Sequence, residues 1–134
     1  MLRIKRDTDY AIRCVLNLSK QEKGFSRIDA LSADEEIPRP FVAKIMHRLN
    51  KQGIVQSQRG KGGGYSLAVT PSQLTVFDVV KAMEALPLIN ICVNGEDVCK
   101  RKATCPIHTV CKEVEQNLIK NLQIYSFQYL VDKS

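Results

Sequence analysis

Apolar residues recur at helical spacing through the first fifty positions. Ala11, Cys14, Val15 and Leu18 fall at i, i+3, i+4 and i+7, which predicts an amphipathic helix over residues 8–20 with Asp7 as its cap. Gly24 stops it. Ser26 then caps a second helix carrying Ile28 and Leu31 inward, and Asp34-Glu35-Glu36 make a short turn. Pro38 and Pro40 hold the chain extended until Pro40 opens a third helix, which ends near Gln52 ahead of Gly53. Its inward stripe is Phe41, Ile45 and Leu49, helped by Val42 and Met46. Two short helices about a tight turn predict a helix-turn-helix.

The period then changes. Ile54-Val55-Gln56-Ser57-Gln58 has strand character, Arg59-Gly60-Lys61-Gly62-Gly63-Gly64 is a glycine-rich turn, and Tyr65-Ser66-Leu67-Ala68-Val69 returns as a second strand, so a β-hairpin with a cationic tip is expected. After Pro71, Thr75-Val76-Phe77-Asp78 opens a helix running to about Leu86, closed by Pro87, with Val76, Val79, Val80 and Met83 as its apolar positions. Residues 88–104 sustain no period and read as an irregular loop. From Pro106 nearly to the last residue, Ile107, Val110, Val114, Leu118, Leu122, Tyr125 and Tyr129 predict one long terminal helix. Its last turns add Ile119, Ile124, Phe127, Leu130 and Val131, more apolar surface than one stripe needs, so the same helix of a second copy is expected to cover the remainder in a homodimer.

The expected fold class is therefore mainly α with a small β-hairpin wing: a winged helix-turn-helix plus a long C-terminal dimerisation helix. Residues 1–72 are expected to form the winged helix-turn-helix DNA-binding region. Residues 73–134 supply a linker helix, a cysteine loop and the dimerisation helix of the same compact unit.

Composition agrees with an ordinary domain: 134 residues, 44% hydrophobic and 25% charged. No apolar run approaches the roughly 20 residues of a membrane span, and the charged opening lacks the apolar core of a secretory leader, so a soluble cytoplasmic protein with no membrane partner is expected. Charge narrows the choice of partner. Residues 1–65 hold 13 Lys and Arg against 7 Asp and Glu, whereas residues 66–134 hold 7 against 7. The cationic half is expected to meet a polyanion, with double-stranded DNA the first candidate. On the third helix Lys44, His47 and Lys51 share the outer line, with Arg48 beside them and Arg39 just ahead. Such a face is by itself an ordinary solvated surface. Followed directly by a hairpin tipped with Arg59 and Lys61, it becomes a winged helix whose helix suits a major groove and whose wing suits the adjacent minor groove or phosphates. The glycine run lacks the Gly-Lys-Ser/Thr ending and following helix of a nucleotide-binding loop. No catalytic constellation is present, so the chain is not expected to be an enzyme.

Cysteines divide in the same lopsided way. Cys14 stands alone on a helical stripe as a small core hydrophobe, while Cys92, Cys99, Cys105 and Cys111 fall within twenty residues. Cys105 opens the terminal helix with His108 one turn inside, and Cys92 and Cys99 lie on the loop before it. Three thiolates and an imidazole make a full ligand set for a zinc ion or an iron–sulphur cluster. The helix start and the adjacent Lys100, Arg101 and Lys102 favour thiolate over thiol. Zinc modules prefer cysteines two to four residues apart, which is absent here, so the loose spacing favours a cluster; zinc and thiol–disulfide switching stay open. Cys111 fits best as a helix core residue.

Thr8-Asp9-Tyr10-Ala11-Ile12-Arg13, the wing Arg59-Gly60-Lys61-Gly62-Gly63-Gly64-Tyr65, and the run Cys92, Cys99, Cys105, His108 together resemble the Rrf2 family of bacterial winged-helix regulators over essentially the whole chain. The resemblance is greatest to its regulators of iron–sulphur cluster assembly and its nitric-oxide sensors. It implies a dimer holding a two-iron two-sulphur cluster through Cys92, Cys99, Cys105 and His108, although this chain has one extra residue between the first two cysteines. A four-iron four-sulphur cluster is the alternative, with Asp9 of the partner subunit in place of His108. For DNA the resemblance puts the third helix in the major groove, through Lys44 with Arg39 and His47, and Arg59 in the minor groove. Ser26 and Arg27, at a helix start, suit phosphates. The function so implied is a transcriptional regulator whose promoter binding changes as loss, oxidation or nitrosylation of the cluster moves the loop and dimer helix. Alternatives are a cluster-free regulator using thiol oxidation or zinc, a protein-binding adaptor, and an electron carrier that would leave the basic wing unexplained.

Overall fold

The computed structural model describes residues 3–22, 24–59, 63–85, 89–93 and 99–134. Helix α1 spans Arg6–Lys20, starting earlier than its apolar spacing suggests. Lys5 is the N-cap and makes no side-chain cap bond, so Asp7 is not the cap; it lies inside the first turn with Asp9, where both acids oppose the positive end of the helix dipole. Ala11, Cys14, Val15 and Leu18 are buried as their spacing requires.

Strand β1, Phe25–Ser26, precedes helix α2, Ile28–Glu35. The N-cap of α2 is Arg27, which makes no side-chain cap bond, because Ser26 is drawn into β1 and cannot cap the helix as the sequence suggests. At the other end Glu36 takes a left-handed conformation (φ 54°), and the Ile37 N–H donates to Ser32 O at 3.1 Å. This tight reversal buries Ile37 and delivers the chain to Pro38, the N-cap of helix α3, Arg39–Lys51. Pro40 lies in its first turn, where its missing N–H would be unpaired anyway. Gly53 (φ 77°) stops α3, and the Ile54 N–H returns to Leu49 O at 3.0 Å.

Strands β2, Val55–Gln58, and β3, Gly64–Leu67, form the antiparallel hairpin, with Val55 opposite Leu67 and Gln58 opposite Gly64. β1 adds to the far side of β3, Phe25 opposite Ser66, so the wing is a three-stranded sheet in the order β1-β3-β2. Lys61 of the expected cationic tip, with Gly60 and Gly62, lies outside the described residues. Helix α4, Val76–Met83, begins with a capping box in which Thr75 and Asp78 bond reciprocally. It ends sooner than expected, as Glu84 is already extended; Leu86 and Pro87 lie outside the described residues. Within the loop read as irregular, the described residues include one 3-10 turn, Ile91–Val93, and turns ahead of Cys105 closed by the Lys102 N–H to Cys99 O at 3.3 Å and the Thr104 N–H to Arg101 O at 3.1 Å.

The terminal helix is two. Helix α5 covers Pro106–Ile124, the chain turns at Tyr125-Ser126, and helix α6 covers Phe127–Lys133. Three backbone bonds hold the turn against the entry to α4: Val76 N–H to Tyr125 O at 2.9 Å, Phe127 N–H to Leu74 O at 2.8 Å, and Gln128 N–H to Pro71 O at 3.1 Å. Ser126 caps α6 by accepting the Tyr129 N–H. The reason is Phe127, which is fully buried in the core shared by α1, α3 and α4; a continuous helix would carry that ring away from it. Phe127 and Leu130 therefore belong to this chain's own packing and are not surplus awaiting a second copy. Among the described residues, no helix is long and apolar enough to cross a membrane.

Candidate nucleic-acid interface and metal centre

Burial of Val42, Ile45, Met46 and Leu49 on one side of α3 fixes Lys44, His47 and Lys51 on the exposed side. Two residues of α3 depart from the sequence reading. Phe41 is 47% exposed, its ring edge-on to Tyr10 at 6.4 Å between centroids, so it is not part of the inward stripe. Arg48 reaches across to α4, its Nε donating to Ala82 O at 3.1 Å, which makes it a brace between helices.

At the start of α3, Arg39 pairs with Asp29 of α2 at 3.0 Å, and both are largely exposed. Arg27 and Arg39 line a cleft of about 340 Å³ with Ser57, Gln58, Gly63, Gly64 and Tyr65 of the wing. The Arg27 guanidinium beside exposed wing backbone can receive phosphate oxygens, while Arg39 shares the cleft with its ion-pair partner Asp29. Gly64 makes the junction tight: a Cβ there would lie 2.4 Å from Ser26 O. Ser26 is buried and its hydroxyl lies 3.5 Å from Arg27 O, so it faces the sheet while Arg27 occupies the helix start. Arg59, exposed, leads into the wing tip.

Cys105 is the N-cap of α5, and its thiol makes no cap bond. His108 follows one turn later. Its Nδ1 is buried without a hydrogen-bond partner, and the residue lines a cavity of about 670 Å³ with Cys99, Lys100, Lys102, Thr109 and Lys112. Cys92 sits half-buried in the 3-10 turn, and Cys99 is exposed. Thus Cys99 and His108 share one cavity and Cys105 stands a turn from His108, while Cys92 lies on a separate turn packed along α5. Among the described residues, no three His, Cys, Asp or Glu groups lie close enough together to hold a metal ion. Asp9 is exposed on the first turn of α1. The donor chemistry suits a metal or cluster, and the orphaned imidazole nitrogen is the group that such a ligand would satisfy.

All five cysteines are free thiols. Cys14 is fully buried, and desolvation, with a smaller push from Glu35 and an opposing pull from Arg13, raises its pKa to about 12. Glu115 is buried on α5 with its Oε2 accepting the Ile89 N–H at 2.9 Å, a feature the sequence reading did not include. The available clue was spacing, since His108, Cys111 and Glu115 fall at i, i+3 and i+7.

A helix-turn-helix whose second helix turns a cationic face outward, followed by a three-stranded wing, defines a winged-helix DNA-binding transcriptional regulator. Residues 4–133 match the Rrf2 family profile, described as an iron-dependent transcriptional regulator, and the chain belongs to that family. It is 29% identical over 111 residues to an Aquifex aeolicus protein named as an HTH-type transcriptional regulator, covering 81% of this chain and 77% of that one. Protein aau3 of Rhizobium meliloti is 28% identical over 131 residues, 97% of this chain and 85% of its own. Among solved structures, CymR, the global cysteine regulator of B. subtilis, superposes with a TM-score of 0.78 at 18% identity over 100% of this chain and 99% of its own. T. potens IscR does so with a TM-score of 0.76 at 20% identity over 98% and 88%. Members of this family are transcriptional regulators and not enzymes.

Proposed function

We propose that a homodimer of this chain binds promoter DNA under the control of an iron–sulphur cluster held by Cys92, Cys99, Cys105 and His108. The observation that carries the reading is the buried, unpartnered Nδ1 of His108, in the same cavity as Cys99 and one turn from Cys105 at the positive end of α5. The family's description as iron-dependent supports it. A two-iron two-sulphur cluster suits three thiolates and one imidazole; Asp9 of the partner subunit, on a four-iron cluster, is the other ligand set. When bound, the cluster supplies a redox- and nitric-oxide-reactive centre. The chain's own part is to couple the cysteine turn to α5, and to present Lys44, His47, Arg39 and Lys51 to a major groove, Arg59 and Lys61 to a minor groove or phosphates, and Arg27 to the backbone, with Ser26 and Arg48 behind them.

Anaerobic reconstitution with iron and sulphide, followed by ultraviolet-visible and Mössbauer spectra and promoter binding, tests this. Wild type is expected to take up both and to change its promoter affinity, while Cys92→Ala and His108→Ala lose most of the cluster. Colourless wild type, or promoter binding indifferent to loading, sinks it. The exposure of Cys99 favours a second reading: a cluster-free regulator switched by thiol oxidation. That reading predicts promoter binding that responds to peroxide in metal-free protein and is lost in Cys99→Ser.

A further inference from the structure

We infer that Glu115 is a positioning residue that anchors the Cys92 turn to α5. Among the described residues of that helix only Glu115 is buried, at 3% exposed, and it is an acid. Its Oε2 accepts the Ile89 N–H at 2.9 Å where the chain enters the turn carrying Cys92. The turn is closed by the Val93 N–H donating to Asn90 O at 3.1 Å, and the Asn90 amide reaches Cys111 Sγ at 4.0 Å.

These contacts share one line of the helix. His108, Cys111 and Glu115 stand at i, i+3 and i+7, whereas Ile107 and Val110 are exposed, and Val114 borders the apolar cleft that Ile89 also lines. The cysteine turn thus lies along the side of α5 that bears His108, with Glu115 at its anchored end. A carboxylate withdrawn from water needs hydrogen-bond donors, and the half-buried Ile89 N–H supplies one of them. Leucine at 115 would leave the Ile89 N–H without this acceptor, and the segment would open more often.

The inference deepens the ligand reading, since it concerns how Cys92 is held near α5, but its test uses metal-free protein. Hydrogen–deuterium exchange in peptides spanning residues 89–93, and the iodoacetamide alkylation rate of Cys92 relative to Cys99, are measured on the reduced full chain. Glu115→Leu is expected to accelerate both by about tenfold or more, with peptides of α1 and α3 unchanged. Glu115→Gln, whose amide oxygen still accepts, stays near wild type. Ile89→Pro deletes the donor without touching α5 and loosens the same segment, which covers the case of a Glu115→Leu chain that fails to fold. Unchanged rates in Glu115→Leu or Ile89→Pro, or a Glu115→Gln chain as loose as the leucine variant, overturn the anchor. Wild-type protein that takes up no iron or sulphide overturns the cluster reading instead and leaves the anchor standing.

Discussion

Cys14 and Cys99 carry the same thiol in opposite surroundings. Desolvation in the core raises the Cys14 pKa to about 12, so at pH 8 only about one molecule in ten thousand carries the reactive thiolate. Under native conditions iodoacetamide is expected to label the exposed Cys99 and spare Cys14, as read by peptide mass spectrometry; prompt labelling of Cys14 would contradict its burial. The same shift has a consequence for stability. Unfolded Cys14 releases its proton near pH 8.5, whereas folded Cys14 holds it to about 12, so the native state binds more protons in that window. Stability from this group is fully present below about pH 8.5 and falls as pH rises towards 12, by at most about 1.4 kcal/mol per pH unit. Urea titrations of wild type and Cys14→Ala between pH 8 and 10 should show the steeper decline in wild type. Arg48 makes a comparable distinction among cations. Because its Nε bonds to Ala82 O, Arg48→Ala is expected to cost about 1–2 kcal/mol in urea unfolding, while Lys44→Ala, on the open face, leaves stability within about 0.5 kcal/mol.

The division of the terminal segment at Ser126 shows how one buried ring can overrule a helical period. Residues 106–131 carry apolar positions every three or four residues, and nothing local in Tyr125-Ser126 forces a stop. The stop comes from partners far away in sequence: Leu74 O and Pro71 O accept backbone N–H groups of α6, and the core has a place for Phe127. Phe127→Ala is accordingly expected to cost about 3–5 kcal/mol in urea unfolding, whereas Ile124→Ala, three residues earlier and 69% exposed, should cost under about 0.5 kcal/mol. Equal costs would mean that α6 is not seated as described. The same reasoning separates what was legible from what was not. The stripes of α1 and most of α3 follow from i, i+3, i+4 spacing and are buried as read, because the core covers one side of each helix. β1 has only two residues and exists through its pairing with β3, so no period could announce it. Phe41 fits the apolar period of α3 yet sits at the rim, where Tyr10 alone among the described aromatics meets its ring. At the cysteine site the donor types were legible from spacing. For Glu115 spacing gives the side of the helix but not the burial, which depends on the Ile89 backbone arriving from 26 residues away.

The molecule carries two distinct surfaces, a cationic face on α3 and the wing, proposed above to read DNA, and an exposed apolar strip on α5. Ile107 and Val110 are exposed there, and on the proposed reading the equivalent strip of a second copy covers them, so that two reading helices address two half-sites. Each cation of the reading face then acts twice on one duplex. Every phosphate neutralised contributes about 0.9 to the slope of log K against log salt, so Lys44→Ala in a dimer should lower that slope by about 1.8, against about 0.9 for a monomer. Val110→Glu supplies the converse. Val110 is 58% exposed in the single chain, so the substitution should leave unfolding free energy within about 0.5 kcal/mol while placing a carboxylate beside its counterpart across the strip. Sedimentation should then show monomer, and operator affinity should fall by about 100-fold or more as simultaneous contact with both half-sites is lost. In that monomeric background Lys44→Ala should lower the salt slope by only about 0.9. A Val110→Glu protein that stays dimeric, or a Lys44 effect on the slope that is the same size in both backgrounds, would place the dimer contact elsewhere than on α5.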